Sequence, residues 1–200
     1  LIAEGFMFPE APRWHAPRQQ FFVSDIDRGQ VFAVSPGGQR RQVYQGPDWV
    51  SGTAFENDAT LLVTNARSRS LVRVHLDRPD AAAEPVASLA DIAPYGINDM
   101  IRVPSGVCFI DTVSFDFVAY ARGEIPAQPS VLARVDADGP VSVATAEVNF
   151  PNGMAITQDG KRLLVADSLD QCIHAFALHA DGLLGARSCF AALPGEMPDG

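Results

Sequence analysis

Pro151-Asn152-Gly153-Met154-Ala155-Ile156-Thr157 is followed by the turn Asp159-Gly160 and by Leu163-Leu164-Val165-Ala166-Asp167. Two short apolar runs joined by an Asp-Gly turn read as a β-hairpin. Two more strand-like runs follow, Cys172–Leu178 and Arg187–Ala192, with Asp181-Gly182 turning the chain between them. Moving outward, the same grammar recurs three times towards the start of the chain. The opening positions are Glu10, Ser51, Asn98 and Asn152, and Asp199 begins a fifth unit, so successive openings are 41, 47, 54 and 47 residues apart. A repeat of about 40 to 50 residues holding four short strands predicts a β-propeller blade.

The first unit offers Ala11–Trp14, Phe21–Asp25, Gln30–Ser35 and Arg40–Tyr44. The second offers Gly52–Phe55, Leu61–Asn65, Ser70–Leu76 and Pro85–Leu89. The third has Met100–Val103, Val107–Asp111, Ser130–Asp136 and Pro140–Thr145. No stretch keeps helical periodicity for three turns, so the expected class is all-β, one domain over 1–200. In a propeller the opening residue of each blade faces one channel. Glu10, Asn98, Asn152 and Asp199 are therefore expected to form an oxygen-rich ring suited to a hard divalent cation.

Composition excludes several classes. The 200 residues are 47% hydrophobic and carry a net charge of −9 from 15 basic and 24 acidic side chains. That balance argues against nucleic acid or an anionic membrane as partner. No apolar run approaches the roughly 20 residues that span a bilayer. Cys108, Cys172 and Cys189 lie in strand-like runs without CxxC spacing, which predicts buried free thiols in a reducing, cytoplasmic compartment. His15, His75, His174 and His179 are expected on the surface or packed between sheets rather than as ligands. Asp25, Asn65, Asp111 and Asp167 recur at the ends of second strands, as turn-capping residues do.

One insertion breaks the rhythm. Residues 113–129 separate the second and third strands of unit three, where other units use four to six residues. That loop and the lead-in to the first strand leave a blade on the same face, so Phe115, Phe117 and Tyr120 are expected as a lid or pocket wall. Trp49, in the lead-in to the second blade, is expected either to line the pocket or to pack on the first blade.

The motifs Phe8-Pro-Glu-Ala-Pro-Arg-Trp14, Gly96-Ile-Asn-Asp-Met100, Phe150-Pro-Asn-Gly-Met154 and Met197-Pro-Asp-Gly200, with the Asp159–Ser168 pattern, run in order through the whole chain. In these the chain resembles the senescence-marker-protein/gluconolactonase/luciferin-regenerating (regucalcin-like) family. The resemblance implies a six-bladed propeller and hydrolysis of a lactone with one divalent cation (Ca, Zn, Mg or Mn). It implies Glu10, Asn152 and Asp199 as metal ligands and Asn98 as a channel residue that contacts water or substrate. Sugar-lactone hydrolases of the family often carry an arginine where Gly96 stands, so its absence points away from an aldonolactone. Six such repeats need roughly 280 to 300 residues; the chain is therefore expected to be a truncated propeller or a four-bladed form.

In the catalytic reading Asp199 is both ligand and proton acceptor for an attacking water. No GxSxG motif offers a serine alternative. Two other readings stay open: a non-catalytic propeller that binds a cation or a protein, and a strictosidine-synthase-like lyase. An enzyme of the first kind needs Glu10, Asn152 and Asp199 together; a scaffold does not.

Overall fold

The computed structural model describes residues 2–199; Leu1, and the Gly200 of the last motif, lie outside them. The described residues form sixteen strands, one short α-helix and two single 3-10 turns, divided along the chain between two compact units, Leu1–Ser88 and Leu89–Gly200.

The first unit holds two four-stranded antiparallel sheets. One is β1 (Pro9–His15), β2 (Gln20–Asp25), β3 (Gln30–Val34) and β4 (Arg40–Gln45). The other is β5 (Val50–Asn57), β6 (Thr60–Asn65), β7 (Ser70–His75) and β8 (Glu84–Ser88). Both are simple meanders, each strand pairing with the next. Their core is one apolar cluster: Phe22, Val31 and Ala33 from the first sheet meet Val50, Leu61, Val63 and Val74 from the second. The edge-on contact of Phe22 with Phe55, ring centroids 5.0 Å apart, is part of it. Burying such side chains contributes about 1.5 to 3 kcal/mol each, which is why the sheets stack through these faces.

The second unit repeats the plan. Its third sheet comprises β9 (Gly96–Arg102), β10 (Cys108–Val113), β11 (Leu132–Val135) and β12 (Val141–Thr145). Its fourth comprises β13 (Pro151–Ile156), β14 (Arg162–Asp167), β15 (Cys172–Leu178) and β16 (Leu184–Ala192). Phe109 and Leu132 pack with Leu163, Val165 and Phe176 across the two sheets. The helix, α1 (Phe117–Ala121), lies in the insertion between β10 and β11; Asp116 caps it by accepting from the amides of Val118 and Ala119. The all-β expectation and the four repeats stand. The first strands start two to four residues earlier than the apolar runs, because backbone pairing continues through the opening residues ahead of each run.

Candidate functional site

All four first strands carry a β-bulge at their opening residue. In β1 the register slips between Glu10 and Arg13, and in β5 between Val50 and Thr53. In the third sheet Ile97 pairs Thr112 while Met100 pairs Ile110, so Asn98 and Asp99 together oppose Asp111. In the fourth the slip lies between Pro151 and Met154, around Asn152 and Gly153. A bulge leaves one residue unpaired and re-aims its side chain. Backbone torsions carry the cost: Ala11 has φ +48° and Gly153 has φ +87°, the second readily adopted because glycine lacks Cβ.

Neighbouring polar groups satisfy the bulged backbone. In the first unit the Ser24 hydroxyl donates to the Ser51 carbonyl, the Thr64 hydroxyl to Gly52 O and the Thr53 hydroxyl to Ala11 O. In the second unit the Gly153 amide donates to the Asp111 carboxylate at 3.0 Å.

Within the second unit the structure joins three predicted site residues. Asn98 Nδ2 donates to Asn152 Oδ1 at 2.8 Å, and Asn152 Nδ2 donates to Asp199 Oδ1 at 2.8 Å. Asn98 and Asn152 are half-buried, and Asp199 is exposed. The Ser168 hydroxyl, just past β14, donates to Pro198 O at 2.6 Å and so holds the chain leading to Asp199. Glu10 and Trp49 belong to the first unit. Glu10 is half-buried on β1 opposite Ser24. Trp49 lies against the Arg67 guanidinium, 3.9 Å from its ring centroid, while Asp48 beside it accepts from the amides of Arg67 and Ser68.

The acids at the ends of second strands divide by role. Asp25 accepts from the amides of Met7 and Phe8, and Asp167 from those of Asn149 and Phe150. These two carboxylates clamp the lead-in to their own sheet's first strand, a more specific task than capping a turn. Asn65 instead accepts from the Tyr44 hydroxyl and donates to Ser70. Asp111 differs most. Strand β10 runs on to Val113, paired with Gly96, and Asp111, like Asp25 and Asp167, is fully buried. Its Oδ2 takes the Gly153 amide while its Oδ1 has no hydrogen-bond partner among the described residues. Burial, then the charges of Asp99 and Asp167, push its carboxyl well above the usual range, against the Gly153 bond. The sequence signal was present, in that Asp111 follows an unbroken apolar run, but nothing in it marks the acid as enclosed.

The insertion packs on the lead-in to β13. Phe115 is buried, its ring 5.2 Å from Tyr120 and 5.4 Å from Phe150. Exposed Phe117 stacks on Phe150, 8° from parallel at 5.5 Å. Phe150 stands two residues from Asn152, so the insertion lies at the Asn152 end of the sheet. Phe115 supports this aromatic cluster from beneath rather than lining an open wall; Phe117 is the aromatic side chain left exposed.

The histidines take no part in that cluster. His15 packs on Phe55 and accepts from the Arg18 amide; His75 pairs with Glu84 at 2.8 Å. His179 lies in the β15–β16 turn rather than on a strand. His174 is buried and meets Asp170 at 2.9 Å and Asp167 at 3.9 Å. These three could hold a metal ion, with ligand atoms within 4.8 Å of one another. Each already has an internal partner, and Asn149 also donates to Asp170. Burial works against the Asp170 charge, but the bonds from Asn149 and His174 hold its carboxyl below the usual range. A structural brace accounts for all of these bonds. Of the three cysteines, predicted buried, Cys189 proves exposed.

Comparison with known proteins adds to this geometry. The family described as the SMP-30/gluconolactonase/LRE-like region matches residues 8–200. The pentonolactonase XacC of Haloferax volcanii is 27% identical over 194 residues, 96% of this chain and 61% of that protein. The chain thus spans about three fifths of that relative's length. A gluconolactonase from Xanthomonas campestris superposes with a TM-score of 0.77 at 25% identity, over 98% of this chain and 66% of the other. A calcium-binding regucalcin from Agrobacterium tumefaciens gives 0.78 at 19% identity, over 94% and 61%. The shared fold is an all-β propeller built from four-stranded sheets.

Proposed function

Because the chain belongs to the SMP-30/gluconolactonase/LRE-like family, we propose that it serves the hydrolysis of a lactone with one bound divalent cation. The observation that carries this reading is the Asn98–Asn152–Asp199 chain, three oxygen-bearing side chains linked by 2.8 Å hydrogen bonds, the first two near strand openings and the third in the chain beyond β16. Asn152 meets Asp199 through its NH2 group and gives its Oδ1 to Asn98; turning that amide over would set its oxygen beside the carboxylate, as a cation with oxygen ligands at about 2.3 to 2.6 Å requires. Asn152 and Asp199 would supply two ligands within the second unit, while a ligand role for Glu10, in the first unit, rests on its Phe8-Pro-Glu motif alone. A ligand set of oxygens alone suits calcium, magnesium or manganese better than zinc. When bound, the cation would polarise the lactone carbonyl and offset charge on its oxygen.

The chain's own residues do the rest. Asp199 is exposed and accepts only one amide hydrogen among the contacts described, so its second oxygen is free to take a proton from water attacking the carbonyl carbon. That proton passes to the ring oxygen as the acyl C–O bond breaks, leaving a hydroxy acid. Asn98 holds Asn152 in place and offers an amide to the substrate. Phe117 and Tyr120 form an apolar border beside Phe150.

Two of the named relatives are a pentonolactonase and a gluconolactonase, but Gly96, buried at the start of β9, offers no side chain to read sugar hydroxyls. With the aromatic border, this favours a less hydroxylated lactone. A panel running from aldonolactones to alkyl-substituted lactones tests the reading; faster turnover of the alkyl members is expected, and no turnover of any member refutes it. A cation-binding role without catalysis is the second reading, favoured by the likeness to a calcium-binding regucalcin, and it predicts cation affinity without hydrolysis.

A further inference from the structure

Strands β15 and β16 are the outer pair of the fourth sheet. Their pairing slips by one residue: Ile173 faces Ala191 and His174 faces Cys189, so Phe190 is squeezed out of the ladder and is exposed. Cys172 and His174 are two apart on β15 and share a face of the sheet. The slip therefore brings Cys189 onto that face, diagonal to Cys172. The two sulfurs lie 2.8 Å apart. That is closer than thiols merely in contact, and about 0.75 Å of closure reaches the 2.05 Å of a covalent bond.

We propose that Cys172 and Cys189 form a thiol oxidation site that closes to a disulfide when a low-molecular-weight disulfide is the oxidant. The two thiols divide the work by exposure. Cys172 is buried, and burial together with the adjacent Cys189 sulfur pushes its thiol up to about 11. Cys189 is exposed, so it meets the oxidant first. Its thiolate attacks one sulfur of the oxidant, breaking that S–S bond and expelling a thiolate; a mixed disulfide forms on Cys189. Cys172 Sγ then attacks Cys189 Sγ and expels the second small thiolate, which takes up the Cys172 proton. Two protein thiols are oxidised and one small disulfide is reduced to two thiols. The new bond ties the outermost strand to its neighbour, next to the Asp170–His174 pair. Cys108, buried on β10, serves as the internal reference thiol.

The test is to treat the reduced chain with glutathione disulfide, denature it, alkylate the free thiols and measure intact mass and peptide linkage. The expected product is about 2 Da lighter before alkylation, carries one alkylated thiol at Cys108, and yields a peptide pair linked through Cys172 and Cys189. The Cys189→Ser variant should keep both remaining thiols free under the same treatment. Three alkylated thiols in the unsubstituted chain, a glutathione adduct that persists on Cys189, or a bridge that includes Cys108 would each overturn the proposal.

Discussion

At the residue scale Asp199 and Asp111 carry the sharpest expectations, for opposite reasons. Asp199 is exposed and bonded to the Asn152 amide, so Asp199→Asn keeps an oxygen for a cation but loses the proton acceptor. Turnover should fall on the order of 10²-fold or more while calorimetry still detects cation binding. Unchanged turnover would remove Asp199 from the chemistry. Asp111 is fully buried and its carboxyl is raised well above the usual range. A raised acid binds its proton more tightly in the folded state, so its contribution to stability is whole below the ordinary carboxylate range and declines as pH rises through the raised value. Asp111→Asn cannot ionise and escapes that decline. Across that window the variant should gain on the unsubstituted chain by about 1.4 kcal/mol per pH unit, read by urea titrations at successive pH; a constant difference would show that Asp111 titrates normally. The sequence displays Asp111, Asp25 and Asp167 as one repeated feature. All three are fully buried; they diverge because Asp25 and Asp167 each accept lead-in amides of their own sheet while Asp111 accepts the Gly153 amide of the next sheet, a tertiary fact that residue type does not encode.

At the element scale the bulges and their clamps place the site. The repeat phase put Glu10, Asn98, Asn152 and Asp199 at equivalent positions, and the structure links the last three by hydrogen bonds. The bulges themselves were not legible: hydropathy reports alternation, whereas a bulge is a one-residue mismatch between two strands that no single strand records. Gly52 and Gly153 are the only hints. Asp167 ties the Asn149 and Phe150 amides at 2.6 and 2.9 Å. Asp167→Ala leaves these amides without their acceptor and should cost about 2 to 4 kcal/mol in urea unfolding, with Asp167→Asn recovering part of it. A loss below 0.5 kcal/mol would show that the clamp is dispensable. The insertion's aromatics read from sequence as a lid or pocket wall, but not which ring would be covered: Phe115 is buried and Phe117 exposed. Phe117→Ala removes the exposed ring stacked on Phe150; KM for an apolar lactone should rise several-fold with kcat nearly unchanged, and an unaltered KM would separate the insertion from substrate binding.

At the scale of the whole molecule the four sheets, their order and their meander topology follow from strand length, turn chemistry and the repeat. The family follows from four spaced motifs rather than from any one of them. Blade number is not written in the motifs, since each unit specifies its own sheet and not how many others join it. Among the described residues no helix is long and apolar enough to cross a membrane. What unites the levels, on the proposed reading, is the Asn98–Asn152–Asp199 cluster as the place where a cation and a lactone meet. The most direct measurement is lactone hydrolysis followed by pH-stat after exhaustive chelation, then after return of calcium, magnesium, manganese or zinc singly. The account predicts loss of hydrolysis on chelation and recovery with at least one hard cation, in proportion to the ion bound. Hydrolysis that persists undiminished in the metal-free protein would contradict it.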